Sequence, residues 1–450
     1  MHPLTTISPL DGRYSQQTKD LVPYFSEMAL MRYRLRVEVE YFIALSREPK
    51  VKEFPALSAM EQKELRALVE NFSLADAERI KEIEATTKHD VKAIEYWLRE
   101  AIAQLPCSPY ASFIHFALTS EDVNNVAYSL MWRDGLQHVY LPALSGLLQA
   151  LIAFARKNKS LAMLALTHGQ SATPTTVGKE FAVFAARLER QLSALKHHRF
   201  LGKLNGATGT WAAHIVSYPT VDWRAFSVKF ISKLGLEPNL LTTQIEAHDA
   251  LAESYHTLIR INTILLDLSR DVWLYVMRGV FGQKNKQGEI GSSTMPHKIN
   301  PIYFENAEGN LGLASAHLEH LAMKLPVSRL QRDLSDSTVL RTQGVGLAHS
   351  FLAVKNLIEG FERLELNTIK LRQELDEHWE VLGEAIQTML RKQGRQDGYE
   401  QLKKLTRGKP LDKESLRDFI SQLPLPDNDK KRLLDLTPQT YIGLADKLIK

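Results

Sequence analysis

The chain has 450 residues, of which 44% are hydrophobic and 24% are charged, and 56 basic against 52 acidic residues give a formal net charge of +4. These proportions are ordinary for a globular protein with a large core, and about three domains are expected at this length. The charge excess is small and no block of five like charges occurs, so no nucleic-acid partner is expected. The single cysteine, Cys107, excludes an intrachain disulfide and is typical of a reducing cytosol.

Residues 1–14 include prolines, Asp11 and Gly12 where a secretory signal would need an unbroken apolar core, so a cytoplasmic location is expected. No uninterrupted apolar run approaches the ~20 residues that cross a bilayer. The run at 147–155 is short and contains Gln149. We therefore expect no membrane role.

Helical periodicity dominates the chain, and strand signals are scarce. Residues 1–111 carry short helical patterns that end near Pro106 and Pro109. From Tyr140 onward, apolar residues recur at alternating steps of four and three, which is typical of helices that pack in a bundle. Three stripes predict long helices: Leu144, Leu147, Leu151 and Phe154; Phe181, Phe184, Leu188, Leu192 and Leu195; and Leu251, Tyr255, Leu258, Ile261, Leu265, Leu268, Val272 and Tyr275.

The C-terminal residues, from about 363 onward, carry short charged helical patterns interrupted by Pro410, Pro424, Pro426 and Pro438. The patterns together predict an all-α chain in three parts: an N-terminal helical domain (1–111), a central long-helix bundle (112–362) and a C-terminal helical domain (363–450). The aromatic residues of the stripes are expected in the core or at a subunit interface rather than against a ligand.

Residues 119–125 read Thr-Ser-Glu-Asp-Val-Asn-Asn and precede a helical run that extends to Lys157. A hydroxyl followed by acidic residues is typical of a helix N-terminus, and Ser120 is the expected N-cap. If continuous, the run of roughly 37 residues is ~55 Å long. Gly135 weakens such a helix, and Pro142 is expected to kink it.

His168 lies between this helix and the next, where Gly169 and Pro174 indicate a turn. An imidazole has an ordinary pKa of ~6.5 and can therefore transfer a proton near neutral pH. The residue types alone favour a structural histidine, and a role as acid or base is the alternative.

Residues 282–301 contain three glycines and two prolines, which predicts an exposed loop rather than the interior of a helix. Gly291 permits a tight turn that leaves successive backbone N–H groups free for an anion, and Lys298 adds a positive charge. Ser292 and Asn300 add a hydroxyl and an amide. These residues allow two interpretations: an oxyanion-stabilising loop in which a serine is base or nucleophile, and an ordinary surface loop.

The three segments just described resemble the signature regions of the fumarase/aspartase superfamily of lyases, which eliminate fumarate. The resemblance implies the same all-α architecture and a reaction without a cofactor. It also implies that Ser292 is the general base and His168 the general acid. Because an unactivated serine is a poor base, loop amides and Lys298 would have to polarise its hydroxyl in a closed, dry site.

The same resemblance assigns residues that bind the substrate's carboxylates. Lys298 and Asn300 are implied to hold one carboxylate, and Thr119 and Ser120 are implied to contact that of the succinyl group. Ser171 departs from the pattern, which usually has proline at this position.

Three other segments, at 8–14, 86–93 and 328–341, resemble the branch of the superfamily that acts on a succinylated purine nucleotide and a succinylated imidazole nucleotide. Such a substrate carries a phosphate, which needs a cationic, hydroxyl-rich site. The resemblance implies phosphate contacts from Arg13, Tyr14, Arg329, Ser337 and Arg341, and substrate contacts from His89, Asp90 and Gln244.

The arginines of segment 328–341 also have an interpretation without a substrate, because their proximity to Asp333 and Asp336 is typical of a solvated salt-bridge network. A long helix is expected to begin at 335–337, and its backbone N–H groups would add to a phosphate site. Metal motifs are weak. Although His317 and His320 can share a helix face, no HExxH motif occurs, and no metal is expected.

The expected function is elimination of fumarate from a phosphorylated succinyl-purine or succinyl-imidazole nucleotide. Two alternatives stay open: another superfamily lyase, such as argininosuccinate lyase, and a non-catalytic structural protein of the same fold. The second is disfavoured by retention of the four catalytic and carboxylate-binding residues of the loop and turn, Ser292, His168, Lys298 and Asn300.

The length of the first long helix predicts an oligomer. Thr119 and Ser120 begin a helix of ~55 Å, and His168 follows its far end. Because one chain does not easily bring both ends to one small substrate, we expect a site shared between subunits, and the superfamily implies a homotetramer with each site drawn from three chains.

Overall fold

The computed structural model describes residues 2–284, 288, 294–295, 298–395, 400, 402–403 and 411–449. Helices make up most of these residues, which confirms the predicted all-α fold. The strands of the described part form three two-stranded sheets. They pair Ala162–Thr167 with Gln170–Thr176 and Phe281–Gln283 with Leu364–Leu366, both antiparallel, and Leu201–Gly202 with Glu237–Pro238 in parallel.

The chain forms two compact units, each assembled from three stretches of sequence. The first unit contains Met1–Leu144, Gln191–Thr263 and Gly309–Lys355, and the second contains Ser145–Arg190, Ile264–Glu308 and Asn356–Lys450. The three-part division into 1–111, 112–362 and 363–450 follows the sequence pattern and stays a prediction.

Short and medium helices build the N-terminal part of the first unit. One of them begins with a capping box, in which Ser58 Oγ accepts the N–H of Glu61 at 3.2 Å and the Glu61 carboxylate accepts the N–H of Ser58 at 2.8 Å. The box satisfies donors that the first helical turn leaves unpaired. The helices are Ser15–Thr18, Val22–Phe25, Glu27–Ser46, Ala59–Glu70, Leu74–Thr87 and Asp90–Ala101, with 3₁₀ turns at Pro3–Thr5, Lys19–Leu21 and Ser108–Phe113.

The middle of the chain forms the long helices that the apolar stripes predict. All stripe residues are buried except Phe154 and Tyr275, which are half-buried, so the prediction of buried faces is confirmed. The long helices are Ser120–Gly135, Leu141–Lys157, Val177–Lys196, Asp249–Met277, Ile302–Lys324 and Gln343–Glu362, and the shorter ones are Ala212–Ser217, Trp223–Lys233 and Ser335–Leu340.

A π-helical turn, Leu136–Tyr140, joins two of these helices, so the predicted run is a single helix of 38 residues, Ser120–Lys157. In this turn the N–H of Leu141 donates to the carbonyl of Leu136, five residues back. Pro142, which has no N–H, follows directly. The helix is therefore locally wider just before Pro142, and the kink expected at this residue stays a prediction.

In the described part of the chain, this helix is long and apolar enough to cross a membrane by length and composition, with a mean hydropathy of 1.5 over 18 residues. Uninterrupted apolar runs do not reveal this helix, because only an average over a longer window tolerates isolated polar side chains. A single helix of this kind is weak evidence for a membrane span, since core helices pass the same test.

The segment around His168 is a β-hairpin, where the sequence predicts a turn between two helices. Strands Ala162–Thr167 and Gln170–Thr176 flank a two-residue turn, in which His168 and Gly169 have φ angles of 54° and 73°. Positive φ at both positions is what a type I′ turn requires. Pro174 lies in the second strand, in a region where the pairing register shifts. We call residues 162–176 the His168 hairpin.

Short helices form the C-terminal part of the second unit, as the proline-separated pattern predicts. They are Thr368–Asp376, Gly383–Lys392, Lys413–Gln422 and Asp427–Asp435, with a 3₁₀ turn at Trp379–Leu382. Their apolar side chains, including Leu375 and Ile386, form a core in which Leu164 of the His168 hairpin is also buried. The base of the hairpin is therefore fixed against the C-terminal helices.

Candidate active site

The long helix begins one residue earlier than predicted, because Thr119 is its N-cap and Ser120 its first residue. The N–H of Thr119 donates to Asp122 Oδ2 at 2.9 Å, which satisfies a donor at the helix N-terminus. Both Thr119 and Ser120 are half-buried, so neither residue is closed off from solvent.

Asp122 and Asn125 hold the neighbouring segment that contains Lys203. The fully buried Asp122 carboxylate lies 3.0 Å from Lys203 Nζ, and it accepts the N–H groups of Asn205 at 3.0 Å and of Gly206 at 3.2 Å. Asn125 accepts the N–H of Lys203 at 2.8 Å and donates to its carbonyl at 3.1 Å. These contacts therefore fix the first turns of the helix against the segment 203–206.

Lys203→Met is expected to destabilise the fold strongly, because it leaves the buried Asp122 carboxylate without its cation. Breaking a buried pair costs ~3–5 kcal/mol, which urea unfolding would measure as a lower free energy of unfolding. Lys233→Met is the matched control: the Lys233 side chain is 44% exposed, against 0% for Lys203, and its partner Glu40 keeps a second cation, Arg66, so a loss of only ~0–1 kcal/mol is expected. Equal losses in the two variants would contradict the prediction.

Asp90 lies between two arginines. Its Oδ2 is 2.9 Å from Arg34 Nη2 and 2.6 Å from Arg341 Nη2. Burial raises the pKa of Asp90, but the two arginines outweigh burial and lower this pKa to about 2, so the carboxylate is ionised at neutral pH. Arg34, which the sequence analysis missed, is 2% exposed and also donates from Nε to Asn124 Oδ1 at 2.8 Å. Two predicted site residues, Asp90 and Arg341, are thus brought into contact.

Three other predicted substrate contacts of the first unit carry exposed side chains. The Arg329 side chain is 84% exposed. Arg13 is exposed, and its guanidinium lies 5.9 Å from the centre of the half-buried Tyr14 ring. His89 is the N-cap of the helix Asp90–Ala101, its side chain is 51% exposed, and Nδ1 accepts the N–H of Lys92 at 3.2 Å.

The helix that begins at Ser335 ends at Leu340, so the long helix predicted here is wrong. Its first N–H groups are also engaged within the chain. Ser335 donates to Asp333 Oδ1 at 2.8 Å, and Ser337 donates to Asp336 Oδ1 at 2.7 Å. The backbone N–H groups of Ser335 and Ser337 are therefore not free for a phosphate, although the half-buried Ser337 side chain stays a candidate contact.

Gln244 is held by three hydrogen bonds. Its N–H donates to the carbonyl of Gln331 at 3.3 Å, and Nε2 donates to the carbonyl of Ala207 at 3.0 Å. Its Oε1 accepts from Arg332 Nη1 at 3.3 Å. The position of this side chain therefore depends on Arg332, which the sequence predicts only as part of an arginine cluster.

A cavity of about 300 Å³ opens beside Arg341 in the first unit. Its walls include Leu30, Tyr128 and Leu340, so an apolar and aromatic surface adjoins the guanidinium. This combination suits a planar ring attached to an anionic group.

The remaining predicted residues lie in the second unit. His168, at the tip of its hairpin, and Lys298 are exposed, and Asn300 is half-buried. Of the predicted loop, residues 282–284, 288, 294–295 and 298–301 are described and none is helical. Ser292, the predicted base, lies outside the described residues.

Ser171 contacts the C-terminal helices where the superfamily usually has proline. Its hydroxyl lies 3.3 Å from His378 Nδ1, which also lies 2.6 Å from Glu380 Oε1. On the same strand, Thr173 Oγ1 donates to Glu384 Oε2 at 2.7 Å. Side-chain hydrogen bonds therefore hold the strand that follows His168.

One group of described residues has the composition of a metal site: ligand atoms of Glu121, His248 and Asp336 all lie within 4.8 Å of one another. The guanidinium of Arg332 lies 3.6 Å from the Glu121 carboxylate and 4.0 Å from that of Asp336. Because this cation already faces both carboxylates, we assign no metal to the group.

Comparison with known proteins identifies relatives along almost the entire chain. A lyase family model matches residues 12–314, and a model of the adenylosuccinate lyase C-terminal region matches residues 328–442. Adenylosuccinate lyase of Escherichia coli (strain K12) is 49% identical over 447 residues, which cover 99% of this chain and 98% of that protein. The enzyme of Legionella pneumophila (strain Corby) is 48% identical over 448 residues, with coverage of 99% and 98%, and that of Dictyostelium discoideum is 49% identical over 451 residues, with coverage of 98% and 97%.

Solved structures support the same fold. A fumarate lyase from Mesorhizobium sp. BNC1 superposes with a TM-score of 0.77 at 19% identity, covering 96% of each chain. The 3-carboxy-cis,cis-muconate lactonizing enzyme from Pseudomonas putida superposes with a TM-score of 0.72 at 23% identity, and the match covers 95% of this chain and 96% of that enzyme. Together with the two family models and the close relatives, these similarities show that the chain belongs to the adenylosuccinate lyase family.

Proposed function

We propose that the protein cleaves adenylosuccinate to AMP and fumarate, and the succinyl-carboxamide ribotide SAICAR to AICAR and fumarate. The observation that carries this proposal is the 48–49% identity to adenylosuccinate lyases over nearly the full length of the chain. Argininosuccinate lyase is disfavoured, because the C-terminal model that matches residues 328–442 covers the segment with Arg329 and Arg341.

The proposed reaction is an elimination. Ser292 removes a proton from the succinyl carbon next to a carboxylate, and the resulting carbanion-like aci-carboxylate is stabilised by Lys298 and Asn300. The electron pair then forms the double bond of fumarate as the C–N bond breaks. His168 protonates the departing nitrogen. No cofactor is required, because the carboxylate itself accepts the negative charge.

The conformation of His168 supports its role as the acid. A non-glycine residue with φ of 54° is uncommon, and such backbone strain is found preferentially at functional sites. The hairpin turn projects this residue beyond the core that fixes the hairpin base, and its exposed side chain is accessible to a ligand.

The proposed binding residues fall into three groups by substrate part. Thr119 and Ser120 contact the succinyl carboxylate, and Lys298 and Asn300 hold a substrate carboxylate. The phosphate is bound by Arg13, Tyr14, Arg329, Ser337 and Arg341, and the rest of the nucleotide is contacted by His89, Asp90 and Gln244. The orientation of Arg341 by Asp90 and the cavity beside it support this assignment.

Arg341→Ala is expected to raise the KM for adenylosuccinate with a smaller effect on kcat, because a phosphate contact remote from the breaking bond acts in ground and transition states alike. A charge-assisted contact contributes ~2–3 kcal/mol, or roughly 30- to 150-fold in kcat/KM. Arg372→Ala, whose side chain is 79% exposed, is the control and should be neutral. An unchanged KM in Arg341→Ala would contradict the phosphate contact and favour the alternative, in which the arginines of segment 328–341 form a salt-bridge network.

We also propose a homotetramer whose sites are shared between chains. The 38-residue helix Ser120–Lys157 is ~57 Å long, and only 39% of its most apolar window is buried within one chain. Apolar helix surface that a single chain leaves open is typical of a subunit interface. A cytoplasmic location is part of the same proposal, supported by a single cysteine per chain.

Release of fumarate from adenylosuccinate, followed by absorbance, tests the proposed function directly. Argininosuccinate is the control substrate and should not be cleaved. Cleavage of argininosuccinate alone would assign the protein to another branch of the superfamily. A folded protein that cleaves neither compound would support the non-catalytic alternative.

A further inference from the structure

A buried polar cluster lies next to several of the proposed substrate contacts. It consists of Glu121, His248, Arg332 and Asp336, and we call it the Glu121 cluster. Glu121, His248 and Asp336 are at most 2% exposed. Within the described part of the chain, Glu121 Oε1, His248 Nε2 and Asp336 Oδ2 have no hydrogen-bond partner in the static structure, and ligand atoms of these three residues lie within 4.8 Å of one another.

The members of the Glu121 cluster are directly linked to proposed binding residues. Glu121 follows Ser120 at the start of the long helix, and Asp336 precedes Ser337 and accepts its N–H at 2.7 Å. Arg332 donates to Gln244 Oε1 at 3.3 Å. A small shift of Glu121, Arg332 or Asp336 would therefore move a group that is proposed to touch the substrate.

The charges of the cluster do not balance if both acids are ionised. Arg332 Nη2 lies 3.6 Å from Glu121 Oε2 and 4.0 Å from Asp336 Oδ1, so one cation faces two carboxylates. Burial, with further contributions from Arg332 and Lys324, lowers the pKa of His248 to about 4, so the imidazole is neutral and adds no second cation. Two ionised acids would leave an uncompensated negative charge in the interior, which is costly.

A proton shared between the acids resolves this imbalance. Burial raises the pKa of Glu121 to about 8, and burial also raises the pKa of Asp336. The other charged groups that face the cluster are Lys203, Lys324, Asp122 and Asp333. Lys203 and Asp122 neutralise each other as a buried pair, so they do not supply the missing charge. Lys324 also faces the Asp333 carboxylate, which offsets its charge.

The backbone of His248 is held in an uncommon conformation. His248 has φ of 62° and immediately precedes the helix Asp249–Met277. Its N–H donates to Glu246 Oε2 at 2.7 Å, and its carbonyl accepts the N–H of Ala252 at 2.9 Å. Such a left-handed conformation persists in a non-glycine residue only where its surroundings enforce it.

We propose that the Glu121 cluster retains one proton and acts as a positioning network for the residues that bind the substrate. This inference rests on the proposed function. The proton lies between Glu121 and Asp336, and the neutral His248 completes the hydrogen bonding. Loss of the proton places a second negative charge beside Ser120 and Ser337, where carboxylate and phosphate groups of the substrate bind, so substrate binding weakens at alkaline pH.

The test is the pH dependence of KM and kcat for adenylosuccinate between about pH 6.5 and about pH 9.5. The wild-type KM should rise by up to roughly tenfold per pH unit above about pH 8, with a smaller change in kcat. Glu121→Gln, which mimics the protonated acid, should keep KM within about twofold of the neutral-pH value across this range. Asp271→Asn, which changes a half-buried acid in the second unit, is the control and should retain the wild-type profile.

Infrared spectroscopy of the folded wild-type protein gives a second measurement that requires neither turnover nor a stable variant. A protonated carboxyl stretch should be present at neutral pH, disappear by about pH 9.5, and be reduced in Glu121→Gln. Absence of this band, or an alkaline rise of KM in Glu121→Gln equal to that of wild type, would overturn the inference. A stoichiometric bound divalent metal whose removal by a chelator raises KM would overturn it in favour of a metal site. A wild-type protein that shows the band but does not cleave adenylosuccinate would contradict the proposed function and the positioning role, and leave only the shared proton.

Discussion

Ser292→Ala is expected to abolish turnover and to leave binding of adenylosuccinate largely intact. The variant lacks the proton acceptor, whereas the arginines and loop amides that bind the ground state remain. General base catalysis contributes ~10²–10⁴-fold to a rate, so residual activity below about one per cent is expected. Fumarate release measures the loss of turnover, and calorimetric titration with adenylosuccinate measures binding in the inactive protein.

Ser293→Ala is the matched control for this result, because it removes the neighbouring hydroxyl of the same loop. It should retain most of the wild-type kcat. If Ser292→Ala kept more than a few per cent of wild-type activity, or if Ser293→Ala were the inactive variant, the assignment of the base to Ser292 would be wrong.

Mixed tetramers of two inactive variants are expected to regain activity. If His168 and Ser292 of one site come from different chains, dissociation and reassembly of His168→Ala and Ser292→Ala at equal ratio gives roughly one quarter of sites with both residues intact. Activity should therefore rise from near zero to about a quarter of the wild-type value. Each variant taken alone through the same procedure is the control. If no activity is recovered after verified subunit exchange, His168 and Ser292 of one site must come from the same chain.

Helix positions could be predicted well because a buried helix face leaves a periodic trace in the sequence. The stripe from Leu251 to Tyr275 lies within the observed helix Asp249–Met277 and is buried nearly throughout. The His168 hairpin left no such trace. Its strands have six and seven residues, and Pro174 interrupts the second, so the segment lacks the alternation that indicates a strand.

The candidate site was predicted in part, and the limit has a physical cause. Residues within one motif, such as Thr119 and Ser120, are predicted because the motif resembles a signature region of the superfamily. Arg34 contacts Asn124, which is 90 positions away in the sequence, and no local pattern indicates such a contact. The sequence analysis did not identify His248 for a similar reason. Its burial and left-handed backbone conformation are properties of the folded chain and leave no local pattern in the sequence.

The π-helical turn at Leu136–Tyr140 makes the effect of a one-residue deletion in this helix depend on the proline at position 142. Deleting one residue from this turn would close it into regular α-helix, in which the ring of Pro142 would collide with the carbonyl four residues before it. The extra residue and Pro142 are therefore tolerated as a pair. A shortened helix requires replacement of the proline in the same step, so a one-residue deletion here and a substitution at Pro142 are not independent changes.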